Sequence, residues 1–270
     1  LQIITKFDPN IVLHFAAQAG VRNSIDDPRA YLNANINGTF NILEAVRQCE
    51  NVKHLLIAST SSVYGANEKM PFAETDNADN QISFYAATKK STEIMAHSHS
   101  HTYDIPTTML RFFTVYGPWG RPDMALFKFT KAILEGKPID VYNNGNMKRD
   151  FTYITDLVNM ILILVNRVPT PSIGLNDTAL NLNSGSPVAP FRVVNVGNSK
   201  PVELQNYIQA IEQASGRPAI KNLLPMQAGD VKATWSDDTL LKHLTEYEPK
   251  FDIETGVSLF VEWFRGYYDI

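Results

Sequence analysis

The chain has 270 residues, 19% charged and 44% apolar, which is the balance of a globular protein with a sizeable core and excludes a disordered one. A net charge of −4 argues against a protein built to hold nucleic acid, and the longest apolar run, "MILILV" at 160–165, is far short of a membrane span. A single cysteine, Cys49, excludes an intrachain disulfide framework and suits a reducing compartment, so a cytoplasmic protein with no membrane contact from this segment is expected.

In chain order, "DPNIVLHFAAQAG" joins a turn signal to a short apolar run and then to small residues, which predicts a buried strand opening into a loop. From Pro28 to Cys49 the apolar residues Tyr31, Leu32, Phe40, Leu43 and Val46 recur at helical spacing. "KHLLIAST" reads as a second buried strand, ending in the polar cluster Ser59, Thr60, Ser61 and Ser62. A helix is expected from an N-cap at Ser83 to about Tyr103, and "IPTTMLRFFTVYG" as a third strand that again opens into a loop. From Pro118 the texture changes to a mixture of loops, basic residues and aromatics, before a helix near 155–166. Residues 168–190, rich in Pro, Asn, Ser and Gly, read as a surface loop. A strand in "FRVVNVGN", a helix starting near "PVELQNYIQAIEQA" and a last helix in "GVSLFVEWFRGYY" complete the chain.

Alternating strands and helices predict an α/β fold with a parallel sheet, whose ligands sit beyond the carboxyl ends of the strands. Three such ends carry polar or small residues: "AAQAG", "STSSVYG" and "FFTVYG". On the helix after the second strand, "SFYAATKK" sets Tyr85 and Lys89 four residues apart and hence on one face. A tyrosine with a reference pKa near 10 is a poor base at neutral pH, and a nearby positive charge favours its phenolate. By spacing alone, a solvated helix face explains the pair equally well.

Taken together, "HFAAQAGVR", "NINGT", "STSSVYG", "YAATKK", "RFFTVYGPWGRPDMALF", "MKRDFTYI" and "LPMQAGDVKAT" make the chain resemble the extended short-chain dehydrogenase/reductase family over essentially its whole length, and within it the UDP-glucuronate 4-epimerases. The resemblance implies a Rossmann-like doubly wound parallel sheet with a smaller C-terminal substrate domain, NAD as cofactor, a UDP-sugar as substrate and a homodimer through the helices at about 29–49 and 83–103. It divides the chain into a partial dinucleotide-binding domain over 1–117 and a mainly substrate-binding part over 118–270, with segments near 150–166 and 191–197 returning to the first domain. Tyr85 would be the acid/base and Lys89 would lower its pKa and bind the nicotinamide ribose. Thr60 would help relay the proton, with Ser61 and Ser62 beside it in the catalytic set. Cofactor contacts carried over are Ala16, Ala17, Gln18, Asn35, Ser59, Tyr85, Lys89 and Phe112, the two alanines because small side chains admit a ligand close to the backbone. On the substrate side, Arg121 would hold the sugar carboxylate through two parallel hydrogen bonds. Arg149 would meet the pyrophosphate and Asp230 the nucleotide ribose, Thr114, Ala125 and Phe127 would line the nucleotide-sugar side, and Arg22 would approach the substrate anion.

The implied reaction is C4 epimerisation of UDP-glucuronate to UDP-galacturonate through a transient 4-keto sugar. Ser61 and Ser62 stand where related dehydratases carry acidic residues, and decarboxylases a glutamate at the position of Ser62, which favours simple epimerisation; capping of backbone groups is the plainer role for both hydroxyls. Alternatives are a related UDP-sugar epimerase or decarboxylase, or a non-catalytic nucleotide-sugar-binding protein. Where many relatives carry an arginine shortly before the aspartate, this chain has Gln227. The glycine-rich turn that binds NAD, and the acidic residue about 20 further on, are not in the sequence, so a fragment lacking the first βαβαβ unit and unable to hold NAD alone is expected.

Three further features have plainer explanations. "HSHSH" puts His97 and His101 one turn apart, as in some zinc sites, but no third ligand accompanies them and an exposed helix face is expected. The sequon at Asn37 falls in the predicted packed helix. Cys49 is expected to be a small buried apolar residue near a helix end, and Tyr31, Phe84 and Phe264 are expected in the core or a dimer contact.

Overall fold

The computed structural model describes residues 2–171, 184–227 and 231–270. In chain order the first stretch holds α1 (Gln2–Phe7), β1 (Ile11–His14), α2 (Asn23–Asp26), α3 (Pro28–Tyr31), α4 (Gly38–Val46), β2 (His54–Thr60), α5 (Phe84–Tyr103) and β3 (Thr107–Phe112). The chain continues with β4 (Thr114–Tyr116), α6 (Ala125–Leu134), β5 (Pro138–Tyr142), β6 (Lys148–Tyr153), α7 (Ile154–Val165), β7 (Phe191–Val196) and β8 (Pro201–Glu203). It ends with α8 (Leu204–Ser215), β9 (Ile220–Leu224), β10 (Ala233–Thr234), α9 (Thr239–Thr245) and α10 (Ile253–Tyr268).

The chain forms two compact units, one of residues 1–112, 161–196 and 237–246, the other of 113–160, 197–236 and 247–270. In the first unit β1, β2, β3 and β7 form a four-stranded sheet in that order, every neighbouring pair parallel. All seven residues of β2 are buried, as expected of a strand flanked on both edges and covered on both faces. Leu55, Ile57, Met109 and Phe191 pack with Leu43 and Val46 of α4 and Ala96 of α5, and each large side chain so buried contributes about 1.5–3 kcal/mol.

Local chemistry sets the helix ends. Asp27 caps α3 by accepting from the Ala30 amide, with Pro28 at the first helical position, where its missing N–H costs nothing. Ser83 caps α5 by accepting from the Ala86 amide at 3.1 Å. The helix expected over Pro28–Cys49 is present but not uniform: residues Leu32–Asn37 form a π-helical stretch between α3 and α4. Asn37 lies in that stretch with its side chain exposed, so the sequon is on an open helix face and not packed as expected.

The third expected strand is two. β3 ends at Phe112, in register with Thr60 of β2 and Val196 of β7, where both neighbours also end. Past the buried Phe113 the chain starts β4, which pairs in parallel with β6 of the second unit, Thr114 opposite Phe151. Within that unit β6 also pairs with β10 in parallel and β8 antiparallel, and β5 pairs with β9. Residues 118–150, read as mixed loop, contain α6, whose Leu126, Phe127, Phe129 and Ile133 are buried while Lys128 and Lys131 stay exposed; the basic residues masked an amphipathic pattern. Much of the expected loop 168–190, residues 172–183, lies outside the described residues.

Candidate active site

In the first unit the carboxyl ends of β1, β2 and β3 lie side by side. β1 opens into the exposed residues Phe15, Ala16, Ala17 and Gln18. β2 ends at Thr60, which caps a 3-10 turn of Ser61–Tyr64: its Oγ1 accepts from the Ser62 amide at 3.2 Å and donates to Ser62 Oγ at 3.3 Å. The turn closes at Gly65, whose φ of +55° and contact with the Asn80 carbonyl leave no room for a Cβ. Phe112 ends β3, its ring edge-on to Phe15 at 5.6 Å.

The start of α5 brings Tyr85 and Lys89 to this first unit's site. Tyr85 is half-buried, its ring edge-on to that of Tyr31 at 6.0 Å. The Tyr31 hydroxyl in turn bonds the carbonyls of Ala19 and Gly20 at 3.0 and 2.7 Å, so one buried ring links the loop after β1 to Tyr85. Burial pulls the Lys89 ammonium down to about 8, opposed by the negative charge of Glu93. His14, at the end of β1, is held neutral by burial and by Lys89, which bring its pKa down to about 4, and its Nε2 lies 3.1 Å from Thr39 Oγ1. Asn35 is fully buried in the π-helical stretch; its Oδ1 accepts from the Gln18 amide at 2.8 Å and its Nδ2 donates to the Gln18 carbonyl at 3.0 Å and to Thr88 Oγ1 at 2.9 Å. Its amide therefore braces the loop after β1 against α5. Ser59 is buried and donates to Glu93 Oε1 at 2.7 Å.

In the second unit Thr114, Arg121, Ala125 and Phe127 line one small cavity of about 50 Å³, together with Tyr116, Phe151, Tyr207 and Phe260. Its walls are mostly apolar, and Arg121 is the charged group among them. The Arg121 guanidinium is gripped by Asp123 through two parallel hydrogen bonds, Nε to Oδ1 at 2.9 Å and Nη2 to Oδ2, which hold the Asp123 carboxyl below its usual range. Arg149 does not line that cavity; it donates to the carbonyls of Lys148, Val231 and Lys232. Arg22 is exposed ahead of α2, and Asp230 lies outside the described residues.

Sequence reasoning missed His14, Glu93 and Arg111. For Glu93 a signal existed, since it follows Lys89 by four residues on the same helix face. Among the described residues no cluster of three potential metal ligands occurs; His97 instead meets Ser186 Oγ at 2.9 Å and His101 the Val188 carbonyl at 2.6 Å. Nor is any helix among them long and apolar enough to cross a membrane.

Residues 1–174 match the model of the NAD dependent epimerase/dehydratase family. The chain is 54% identical over 261 residues to a probable UDP-glucuronate 4-epimerase of Rhizobium meliloti (strain 1021), covering 97% of this chain and 76% of that protein. It is 44% identical to UDP-glucuronate 4-epimerase 5 of Arabidopsis thaliana, covering 95% of this chain and 58% of that protein. Among solved structures it is similar to UDP-glucuronic acid 4-epimerase from Bacillus cereus in complex with UDP-glucuronic acid and NAD, with a TM-score of 0.84, 31% identity, and coverage of 99% of this chain and 78% of that one. A parallel sheet with Tyr85 and Lys89 at its carboxyl edge and these likenesses agree, and the chain belongs to the NAD dependent epimerase/dehydratase family.

Proposed function

We propose that the protein epimerises UDP-glucuronate at C4 to UDP-galacturonate. The observation that carries this reading is a buried lysine one helical turn from Tyr85 in a chain 54% identical to a probable UDP-glucuronate 4-epimerase. The carboxyl edge of the sheet suits a dinucleotide: Ala16 and Ala17 leave its backbone open to close approach, and Lys89 is a desolvated cation able to donate to ribose hydroxyls. When bound, NAD supplies the acceptor for the hydrogen and electron pair leaving C4, and returns them to the opposite face of the same carbon.

Tyr85, as phenolate, removes the proton of the sugar 4-hydroxyl, and the Lys89 ammonium stabilises the negative charge the phenol oxygen carries. Thr60 Oγ1 relays the proton. The resulting 4-keto sugar turns over, and the Tyr85 hydroxyl returns the proton to the oxygen at C4 as the reduction occurs, so one residue serves as base and then as acid with no net redox change. Arg121 receives the sugar carboxylate in the two-bond geometry that Asp123 now holds, and so keeps the carboxylate fixed while C4 is a ketone. Arg149 and Asp230 serve the pyrophosphate and ribose ends.

The protein acts as a cytoplasmic homodimer in this reading. Its dimer surface is made by the helices at about 29–49 and 83–103, which carry the exposed apolar side chains Phe40 and Ile94. Proton NMR of UDP-glucuronate incubated with the full-length protein, NAD bound, tests the reaction: UDP-galacturonate signals should grow, and vanish with Tyr85→Phe. Formation of UDP-xylose or of a persistent 4-keto product would refute simple epimerisation.

A further inference from the structure

Glu93 and Arg111 form an ion pair in the interior of the first unit, their residues only 3% and 2% exposed. Arg111 donates Nε to Glu93 Oε1 and Nη2 to Oε2, both at 2.9 Å, and Ser59 adds its hydroxyl to Oε1 at 2.7 Å. Lys90 Nζ stands 3.5 Å from Oε2. The remaining surface of Arg111 is also used: Nη1 donates to the Glu74 carbonyl at 3.3 Å, and the guanidinium lies over the ring of Tyr64, 4.8 Å from its centre.

Such a pair is a poor device for stability alone, because apolar residues of similar volume do as well or better in a core. What charged, two-bond pairing adds is direction. Each partner in this clamp adjoins a residue of the site. Ser59 precedes Thr60, Arg111 precedes Phe112, and Glu93 follows Lys89 by one helical turn and Tyr85 by two. Ser59 and Arg111 are themselves register partners across β2 and β3, so the Glu93 carboxylate is bonded from two adjacent strands.

We propose that Glu93 is a positioning residue for this reaction, fixing α5 against the ends of β2 and β3 so that Tyr85 and Lys89 meet Thr60. The inference rests on the proposed function for its catalytic meaning. The groups that act electrostatically on or with Lys89 are His14 from β1, which is neutral, and Glu93 one turn on along α5; Tyr85 lies one turn back and Lys90 is next in sequence, while Arg111 from β3 is bonded to Glu93 and donates to the Glu74 carbonyl. Among them Glu93 is the one that acts to keep Lys89 protonated, and burial acts against it.

The test uses the full-length protein with NAD bound and UDP-glucuronate. Glu93→Gln should lower kcat about tenfold or more and leave KM within about threefold. Its activity relative to wild type should fall further as pH rises from 6 to 8.5, because a Lys89 without its opposite charge loses its proton at lower pH. Glu93→Asp, which keeps the charge but is shorter, should restore the alkaline limb while kcat stays low. In parallel, the Lys89 side chain is titrated by carbon NMR, a reading that needs no turnover; its midpoint should fall in Glu93→Gln and not in Glu93→Asp.

If Glu93→Gln does not fold, the Glu93→Met/Arg111→Met double variant replaces the pair without leaving an orphaned charge and should show the same loss of kcat. Wild-type kcat in either variant, or a uniform loss with an unmoved pH profile and an unmoved Lys89 midpoint, overturns the proposal. A wild type that does not epimerise, with Lys89 still shifted in Glu93→Gln, refutes the proposed function and leaves the coupling of Glu93 to Lys89 standing.

Discussion

Replacing Asp150 by alanine removes the shared acceptor of four hydrogen bonds within the second unit. The fully buried carboxylate takes the Asn198 amide on Oδ1 at 2.8 Å, and on Oδ2 the Ser199 amide at 3.1 Å, the Ser236 amide at 3.0 Å and the Ser236 hydroxyl at 2.6 Å. A hydrogen bond to a charged group is worth about 1.5–3 kcal/mol, but four on one carboxylate are not additive and water can enter the space left, so a loss of about 4 kcal/mol is expected. Asp150→Asn should cost about half as much, since its amide oxygen can take the three donors of the Oδ2 side and set the NH2 against a single N–H. Urea unfolding of the two variants beside wild type measures both values. A cost below about 1 kcal/mol for alanine, or an asparagine cost equal to it, would refute the accounting. Gly197 belongs to the same clasp: a Cβ there would come within 2.6 Å of Asp150 Oδ2.

Two further outcomes follow from the charges of each unit. Burial raises the Glu74 carboxyl to about 7, against 4.5 for the ordinary group, while the Asn195 amide bonds its Oε1 at 2.8 Å. The folded state therefore holds this proton more tightly than the unfolded one, and its stabilisation is complete below about pH 4.5 and lost as pH rises through 7. Glu74→Gln, which keeps the acceptor, should remove that slope and gain about 1–3 kcal/mol at pH 8; urea unfolding at pH 5 and 8 reads it, and a variant less stable at pH 8 contradicts it. In the second unit, Arg121→Lys keeps a charge but not the fork, and should raise KM for UDP-glucuronate about tenfold or more with little effect on a neutral UDP-sugar. Equal losses on both substrates would separate Arg121 from carboxylate recognition.

The local parts of this fold are legible because their causes are local. Ser83 before a helical repeat announces α5, and the unbroken apolar run of 55–58 announces β2. Tyr85 and Lys89 share a face because four residues make about one turn. The end of β3 at Phe112 was hidden, since "TTMLRFFTVY" is β-like throughout and the break is set by where β2 and β7 stop. The Glu93 clamp was equally hidden: Ser59, Glu74, Glu93 and Arg111 lie far apart in sequence, and burial, which no pattern of charges reveals, is what joins them. Arg121 was legible as a candidate carboxylate ligand, but its grip by Asp123 two residues on was not.

The π-helical stretch at Leu32–Asn37 makes residue count, as well as residue identity, a constraint on the site. Deleting one residue within it would restore ordinary α spacing and a better-bonded helix, yet swing whatever precedes the deletion by about 100° relative to α4. Asn35 would then lose either the Gln18 backbone or Thr88, which it now joins. Length variation in this helix is thus a change of angular phase, and a mutation that looks like repair of an irregular helix would be an injury to the loop it steers.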